Sequence, residues 1–192
     1  MARTNTIIAV FGRKGLGKTY LVKWLVRHSR RMILIDSLNE YHNGTAYYDF
    51  NQLATAAREP EFRLIFKPLR REDFDRAVDL AVAVGECTLV VDEVDKMTSS
   101  YDLPESLRNA IHYGRHYNVD IVIAARMAQR IRSDITAQAD IILSFQQQGK
   151  TSVAYMREFS ELDIDVEIKR LFKHNFITVA GDFSLDNPPE LN

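Results

Sequence analysis

At 192 residues, with 46% hydrophobic and 27% charged residues, the chain has the composition of an ordinary globular protein, and one domain over residues 1–192 with a real core is expected. A formal net charge of −1 excludes a global basic field of the kind that announces a nucleic-acid partner, although a local basic patch stays open. One cysteine, Cys87, excludes an intramolecular disulfide and has no neighbours at metal-ligand spacing; no apolar run approaches the length of a membrane span, and the opening MARTNT is too polar for a signal peptide. A soluble, intracellular protein without membrane insertion is the expectation.

In chain order, the first strand is predicted over residues 6–11, and it runs straight into GRKGLGKTY, residues 12–20. Gly12, four residues, then Gly17-Lys18-Thr19 is the GxxxxGK[ST] pattern, in the strand-to-helix context that it requires. Backbone amides wrap a phosphate only if several residues adopt conformations that glycine tolerates, hence Gly12, Gly15 and Gly17. The stretch Gly12, Arg13, Lys14, Gly15, Leu16, Gly17, Lys18, Thr19, Tyr20 is therefore expected to bind ATP. In it Lys18 reaches the β- and γ-phosphates, and the Thr19 hydroxyl ligates Mg²⁺. The helix of residues 18–28 then offers its free amides and positive dipole end to the anion.

Further strands are predicted over residues 32–35, 63–66, 88–91, 120–125 and 140–145, with helices over 72–84 and 104–113. Runs such as TLVV and DIVIA suit central strands of a parallel sheet covered on both faces. The fold class is α/β: a mostly parallel central sheet flanked by helices, as in P-loop NTPases, plus a C-terminal hairpin and helix. The hairpin is expected to turn at Gly149-Lys150, within IILSFQQQGKTSVAYMREF. A helix follows from about Ser160 or Asp163 to about Lys173, then a short strand over 176–179, and DNPPELN is expected to fray.

The strand of residues 88–91 ends on Asp92 and Glu93. In P-loop proteins an acid at this place holds Mg²⁺, and an adjacent glutamate can orient and deprotonate an attacking water. Asp92 is thus the candidate metal residue beside Thr19, and Glu93 the candidate base; Asp95 is a weaker substitute for either. Hydrolysis is expected rather than transfer to a bound acceptor.

Taken together, the phosphate loop, ILIDSLNEY, VVDEVD, YGRHYNVDIVIAAR and DITAQADIILSF resemble the FtsK–HerA superfamily of ring-forming, DNA-pumping ATPases, and its small virus-type genome-packaging members in particular. The resemblance covers roughly residues 6–146 and rests on the acid-rich segment Asp36 to Tyr41, the Gly114-Arg115 pair and Gln138-Ala139-Asp140. It implies a homo-oligomeric ring, pentamer or hexamer, that moves double-stranded DNA of a viral genome. It further implies a capsid vertex protein as a second partner, and a place in the host cytoplasm or with the virion. It makes Arg115 an arginine finger supplied to the neighbouring subunit's γ-phosphate; without it, Arg108, His112 and Arg115 read as one solvated basic stripe. Family members usually end the fourth core strand on a glutamine or asparagine, where this chain has Arg126. Either Arg126 senses the γ-phosphate by different chemistry, or Gln129 takes that part, or Arg126 is itself the finger.

Arg70-Arg71, Arg130-Ile131-Arg132 and Lys150 are the basic candidates for gripping DNA phosphates, each equally readable as solvated surface. A small-molecule kinase is the alternative from another class, and a non-motor ATPase switch in secretion or phage assembly is a third. A ParA-type ATPase is disfavoured, since its extra lysine is replaced by Arg13.

Overall fold

Short runs of Val, Ile, Leu and Phe flanked by turn residues form every long strand of the protein, described here from a computed structural model for residues 5–186 and 189–192. The strands are β1 (Ile7–Phe11), β2 (Arg31–Ile35), β3 (Thr45–Tyr47), β4 (Phe62–Phe66), β5 (Cys87–Val91), β6 (Val119–Ala125), β7 (Ile141–Phe145) and β8 (Phe176–Ala180). They make one sheet in the order β3-β4-β2-β5-β6-β1-β7-β8, parallel throughout except where β8 runs antiparallel to β7. Helices α1 (Lys18–Leu25), α2 (Phe50–Ala56), α3 (Arg71–Val84), α4 (Glu105–Tyr113), α5 (Ser133–Gln138), α6 (Lys150–Arg157) and α7 (Asp165–Arg170) complete the fold. The expected α/β class with a mostly parallel sheet is borne out.

Both faces of the sheet are dry, so its central strands read as unbroken apolar runs. Alternation still sorts them. Ile7, Ala9 and Phe11 join the core beneath α3, α4, α5, α6 and α7, through residues such as Phe74, Leu107, Ile135, Met156 and Ile168. Ile8 and Val10 face the opposite way, onto Leu21, Val22 and Leu25 of α1, with Phe183 and Leu191 of the tail packed alongside. Cys87 is fully buried, as its apolar context implied.

The amino-terminal edge of the sheet is tied by carboxylates. Asp120 accepts hydrogen bonds from the backbone N–H of Thr6 and of Asn192, both at 2.7 Å, and Asp140 accepts from Ile7 N–H at 2.7 Å. Thr88 donates its hydroxyl to the Asn192 carbonyl at 2.8 Å. The expectation that DNPPELN frays is therefore corrected for residues 189–192, which are anchored; residues 187 and 188 lie outside the described part.

The expected hairpin at Gly149-Lys150 is also corrected. Residues 150–157 are helix α6, because Ser152, Val153 and Met156 share one buried face at helical spacing, and Gly149 only precedes its first turn. Strands β7 and β8 do pair antiparallel, but α6 and α7 lie between them. The sequence reading also omitted β3, α2 and α5, short elements of three, seven and six residues.

Gly181 ends β8 at φ +80°, and a Cβ there would meet the Asp140 carbonyl oxygen, whereas a Cβ on Gly149 finds only Ser152 Oγ at 3.4 Å. Gly181→Ala is expected to cost about 2 kcal/mol, lowering Tm by about 4–8 °C. Gly149→Ala is expected to stay within about 0.5 kcal/mol of the parent, both read by thermal unfolding followed by circular dichroism.

Candidate active site

The site is built where β1, β5 and β6 end side by side. Phe11 pairs with Ala125, so the loops after β1 and β6 leave the sheet at one level, while β5 ends at Val91 opposite Ile123, two residues earlier on the same edge. Gly12 must be glycine because a Cβ there would lie 2.6 Å from Phe145 Cβ. Gly15 and Gly17 take φ of +81° and +110°, the left-handed region that other residues enter only with strain. Gly17 precedes α1 without any side-chain cap, leaving the first amides of the helix for a ligand.

Within this frame Lys18 is nearly buried, at 6% exposure. The Thr19 hydroxyl donates to Glu40 Oε2 at 2.8 Å. Glu40 belongs to the acid-rich segment after β2, and Asp36 shapes that segment by accepting from Leu38 and Tyr41 N–H. The Tyr41 hydroxyl donates to Asp92 Oδ2 at 2.9 Å, and Asp92 Oδ1 accepts from Glu93 N–H at 2.8 Å. Burial first, and then the neighbouring Asp92, push the Tyr41 hydroxyl far above its ordinary pKa, so it stays a donor. Asp92 itself is pushed up by burial, against the opposing pull of the Tyr41 and Glu93 hydrogen bonds and of Lys18.

Glu93 occupies a left-handed backbone position, φ 52°, and its carboxylate is held by Arg126 through contacts of 2.8 and 3.3 Å, with Lys96 at 3.7 Å. Arg126 directly follows β6, so the unusual residue at that strand end forms a two-point ion pair with the candidate base. Lys18, Thr19, Glu40 and Glu93 line one cavity of about 320 Å³, together with Lys14, Gly15, Gly17, Tyr20 and His174.

The remaining sequence candidates are placed elsewhere. Arg13 is exposed and donates to Gln148 at 2.8 Å, and Leu16 packs against the core around α1. Gln129 donates to Ser152 Oγ at 2.7 Å, and Asp95 keeps one buried oxygen without a hydrogen-bond partner among the described residues. Arg115 lies in an exposed turn, Gly114–Tyr117, ahead of β6, so the length of that strand, roughly 20 Å, separates it from its own phosphate loop. Of the expected basic stripe, Arg108 stands 3.9 Å from Asp134. Glu40 and His174 were missed as site residues. Glu40 could have been found by weighing each acid of the segment after β2, whereas His174 carries no local signal.

The residues suit a Mg²⁺ ion. Among the described residues no three His, Cys, Asp or Glu side chains form a metal cage, and the oxygens of Thr19, Asp92 and Glu40 are hard donors. Such a set suits an ion that takes its other ligands from phosphate and water.

Fold and site together define a P-loop NTPase. The chain belongs to the AAA domain family, whose match spans residues 2–133. Among curated proteins no sequence matches. The genome packaging NTPase B204 of Sulfolobus turreted icosahedral virus 2 is similar in structure in its sulfate complex, with TM-score 0.77 and 16% identity over 99% of this chain and 100% of that one. Its complex with AMPPCP aligns at TM-score 0.75 and 18% identity over 91% of each chain. VirB4 of Thermoanaerobacter pseudethanolicus aligns at TM-score 0.58 and 13% identity, over 97% of this chain and 92% of that one. These neighbours share the fold that the resemblance to the FtsK–HerA superfamily implied. Among the described residues no helix is long and apolar enough to cross a membrane.

The raised pKa of Asp92 generates a prediction. A carboxyl that holds its proton more tightly when folded penalises folding above its folded pKa, and the penalty disappears as pH falls through that value towards the unfolded one. Asp92→Asn is therefore expected to raise Tm by a few degrees at neutral pH, with the gain vanishing in acid, while weakening MgATP binding. Calorimetric melts across pH, with nucleotide titrations alongside, check it.

Proposed function

We propose that the protein hydrolyses ATP and works as a subunit of a homo-oligomeric ring, pentameric or hexameric, that moves double-stranded DNA, with a viral genome as the cargo. The observation that supports it best is the convergence of Lys18, Thr19, Asp92 and Glu93 on one edge of the sheet, a base and a phosphate cradle within one site. In this reading the uncapped amides of the phosphate loop and Lys18 hold the β- and γ-phosphates. Thr19 and Asp92 would hold Mg²⁺, which neutralises charge on the phosphate oxygens. Glu93 takes the proton of the attacking water.

Arg126 then has a definite part. While it grips the Glu93 carboxylate, the base is tied down and less free to accept a proton. A γ-phosphate arriving nearby competes for the same guanidinium, so Arg126 moves to the phosphate and releases the base. Arg115 sits too far away to serve its own site, so it acts as a finger only across a subunit boundary. The whole-length likeness to a genome packaging NTPase supports a genome as the cargo; a capsid vertex protein as docking partner and the host cytoplasm or virion as location belong to the same proposal. Of the basic candidates, Arg70, Arg71 and Arg132 face Asp73, Asp102 and Asp134, leaving Arg130 and Lys150 without an ion-pair partner among the described residues.

Glu93→Gln is expected to keep nucleotide binding and to slow turnover roughly 10²- to 10⁴-fold, measured by phosphate release against fluorescent-nucleotide binding. Arg115→Ala should bind ATP normally and hydrolyse it poorly, and mixing it with Glu93→Gln should restore part of the activity, because one interface then combines an intact base with an intact finger. No rescue from a protein that stays monomeric at high concentration would remove the trans finger. Turnover should also rise with unrelated duplexes alike and lose that stimulation as salt increases, the signature of phosphate-led binding. A rate blind to DNA but raised by a small hydroxyl acceptor, with a phosphorylated product, would make the protein a kinase.

A further inference from the structure

Two consecutive residues of the segment between β2 and β3 reach the two residues that suit the metal. Glu40 accepts from the Thr19 hydroxyl at 2.8 Å, and the Tyr41 hydroxyl donates to Asp92 Oδ2 at 2.9 Å. The topology brings this about, because β2 and β5 are paired neighbours with Ile35 opposite Val91. Asp92 N–H bonds the Ile35 carbonyl at 3.3 Å, so the chain that leaves β2 at Asp36 starts beside Asp92.

Tyr41 is held from three sides. Its N–H bonds Asp36 Oδ2 at 3.0 Å, and Asp36, itself buried, also accepts from Leu38 N–H at 3.1 Å. Its ring is 3% exposed and belongs to the core cluster of Leu34, Ile65 and Val90. Lys23 of α1 stands over the ring, 5.1 Å from its centre, and donates to the Glu40 carbonyl at 2.7 Å. A ring fixed in this way can put its hydroxyl in one place only.

That place matters for Asp92. The last torsion of an aspartate is broad, so a carboxylate held by one hydrogen bond can still swing. Here Oδ1 accepts from Glu93 N–H at 2.8 Å and Oδ2 from Tyr41, one donor on each oxygen, and the plane of the group is set. The direction of the remaining lone pairs is set with it. Partners that orient a metal's ligands in this manner govern how tightly the metal is held.

We propose that Tyr41 is a positioning residue: its hydroxyl fixes the orientation of the Asp92 carboxylate and so sets how much more tightly ATP is held with Mg²⁺ than without. The inference rests on the nucleotide reading of the phosphate loop and on Asp92 as a metal residue. Tyr41 acts through Asp92 alone, and it is not among the residues that line the phosphate cavity.

The test is calorimetric titration of the full chain with ATP, once with Mg²⁺ and once with EDTA, for the parent and for Tyr41→Phe. That change keeps the ring and removes only the hydroxyl, and melting curves confirm the fold. The parent is expected to bind ATP more tightly with Mg²⁺. In Tyr41→Phe that advantage should shrink at least about tenfold, with metal-free ATP staying within about twofold of the parent. The Mg²⁺ concentration for half-maximal phosphate release should rise by a similar factor. A folded variant that melts lower yet keeps the parent's Mg²⁺ advantage would make the hydroxyl a structural partner only and overturn the proposal. Equal weakening with and without Mg²⁺ would put Tyr41 in the phosphate site itself and overturn it too. A parent that gains nothing from Mg²⁺ would remove the metal role of Asp92, and the proposal with it, while the phosphate loop stands. A parent that binds no ATP at all would overturn the nucleotide reading and everything resting on it.

Discussion

The parallel register of β5, β6 and β1 is the constraint on which the rest of the molecule depends. Parallel strands deliver all their carboxyl ends to one edge: β1 ends at Phe11 opposite Ala125, the end of β6, and β5 ends at Val91 opposite Ile123, two residues earlier. From that edge the phosphate loop, the Asp92-Glu93 pair and Arg126 emerge as neighbours, although they are distant in sequence. A shift of one residue in any strand would turn its side chains to the other face and lower one of these groups into the core. The opposite edge holds the register: Asp120 and Asp140 bind the backbone amides that begin β1, and the last residue is tied to Asp120 and Thr88.

Charge has been placed at this edge against the interest of stability. Asp92 is 5% exposed and Glu93 6%, and both sit beside other acids or in a strained backbone. Their cost is offset by particular partners: the Tyr41 hydroxyl and a backbone N–H for Asp92, and the Arg126 guanidinium for Glu93. The fold thus keeps two buried carboxylates hydrogen-bonded or ion-paired, where carboxylates left unpaired would be far more costly.

How much of this was legible in the sequence follows from the range of the interactions. The phosphate loop was readable because Gly12, Gly15, Gly17, Lys18 and Thr19 meet a local requirement within eight residues. The strands were readable because burial on both faces leaves continuous apolar runs. Pairings that depend on the folded chain were not: Thr19 with Glu40, Glu93 with Arg126, or His174 above Gly17. The stretch around α6 misled for another reason. TSVAYMR alternates loosely enough to pass for a strand, and only its contacts with the core show that Val153 and Met156 belong to one helical face.

The most direct test of the account is phosphate release from ATP by the Lys18→Ala chain beside the parent, with and without duplex DNA. Lys18 is the buried cation of the phosphate cavity, so the account predicts turnover by the parent and at least about a 10²-fold loss in the variant, under both conditions. A folded Lys18→Ala protein that releases phosphate at the parent rate would place the chemistry elsewhere and contradict it.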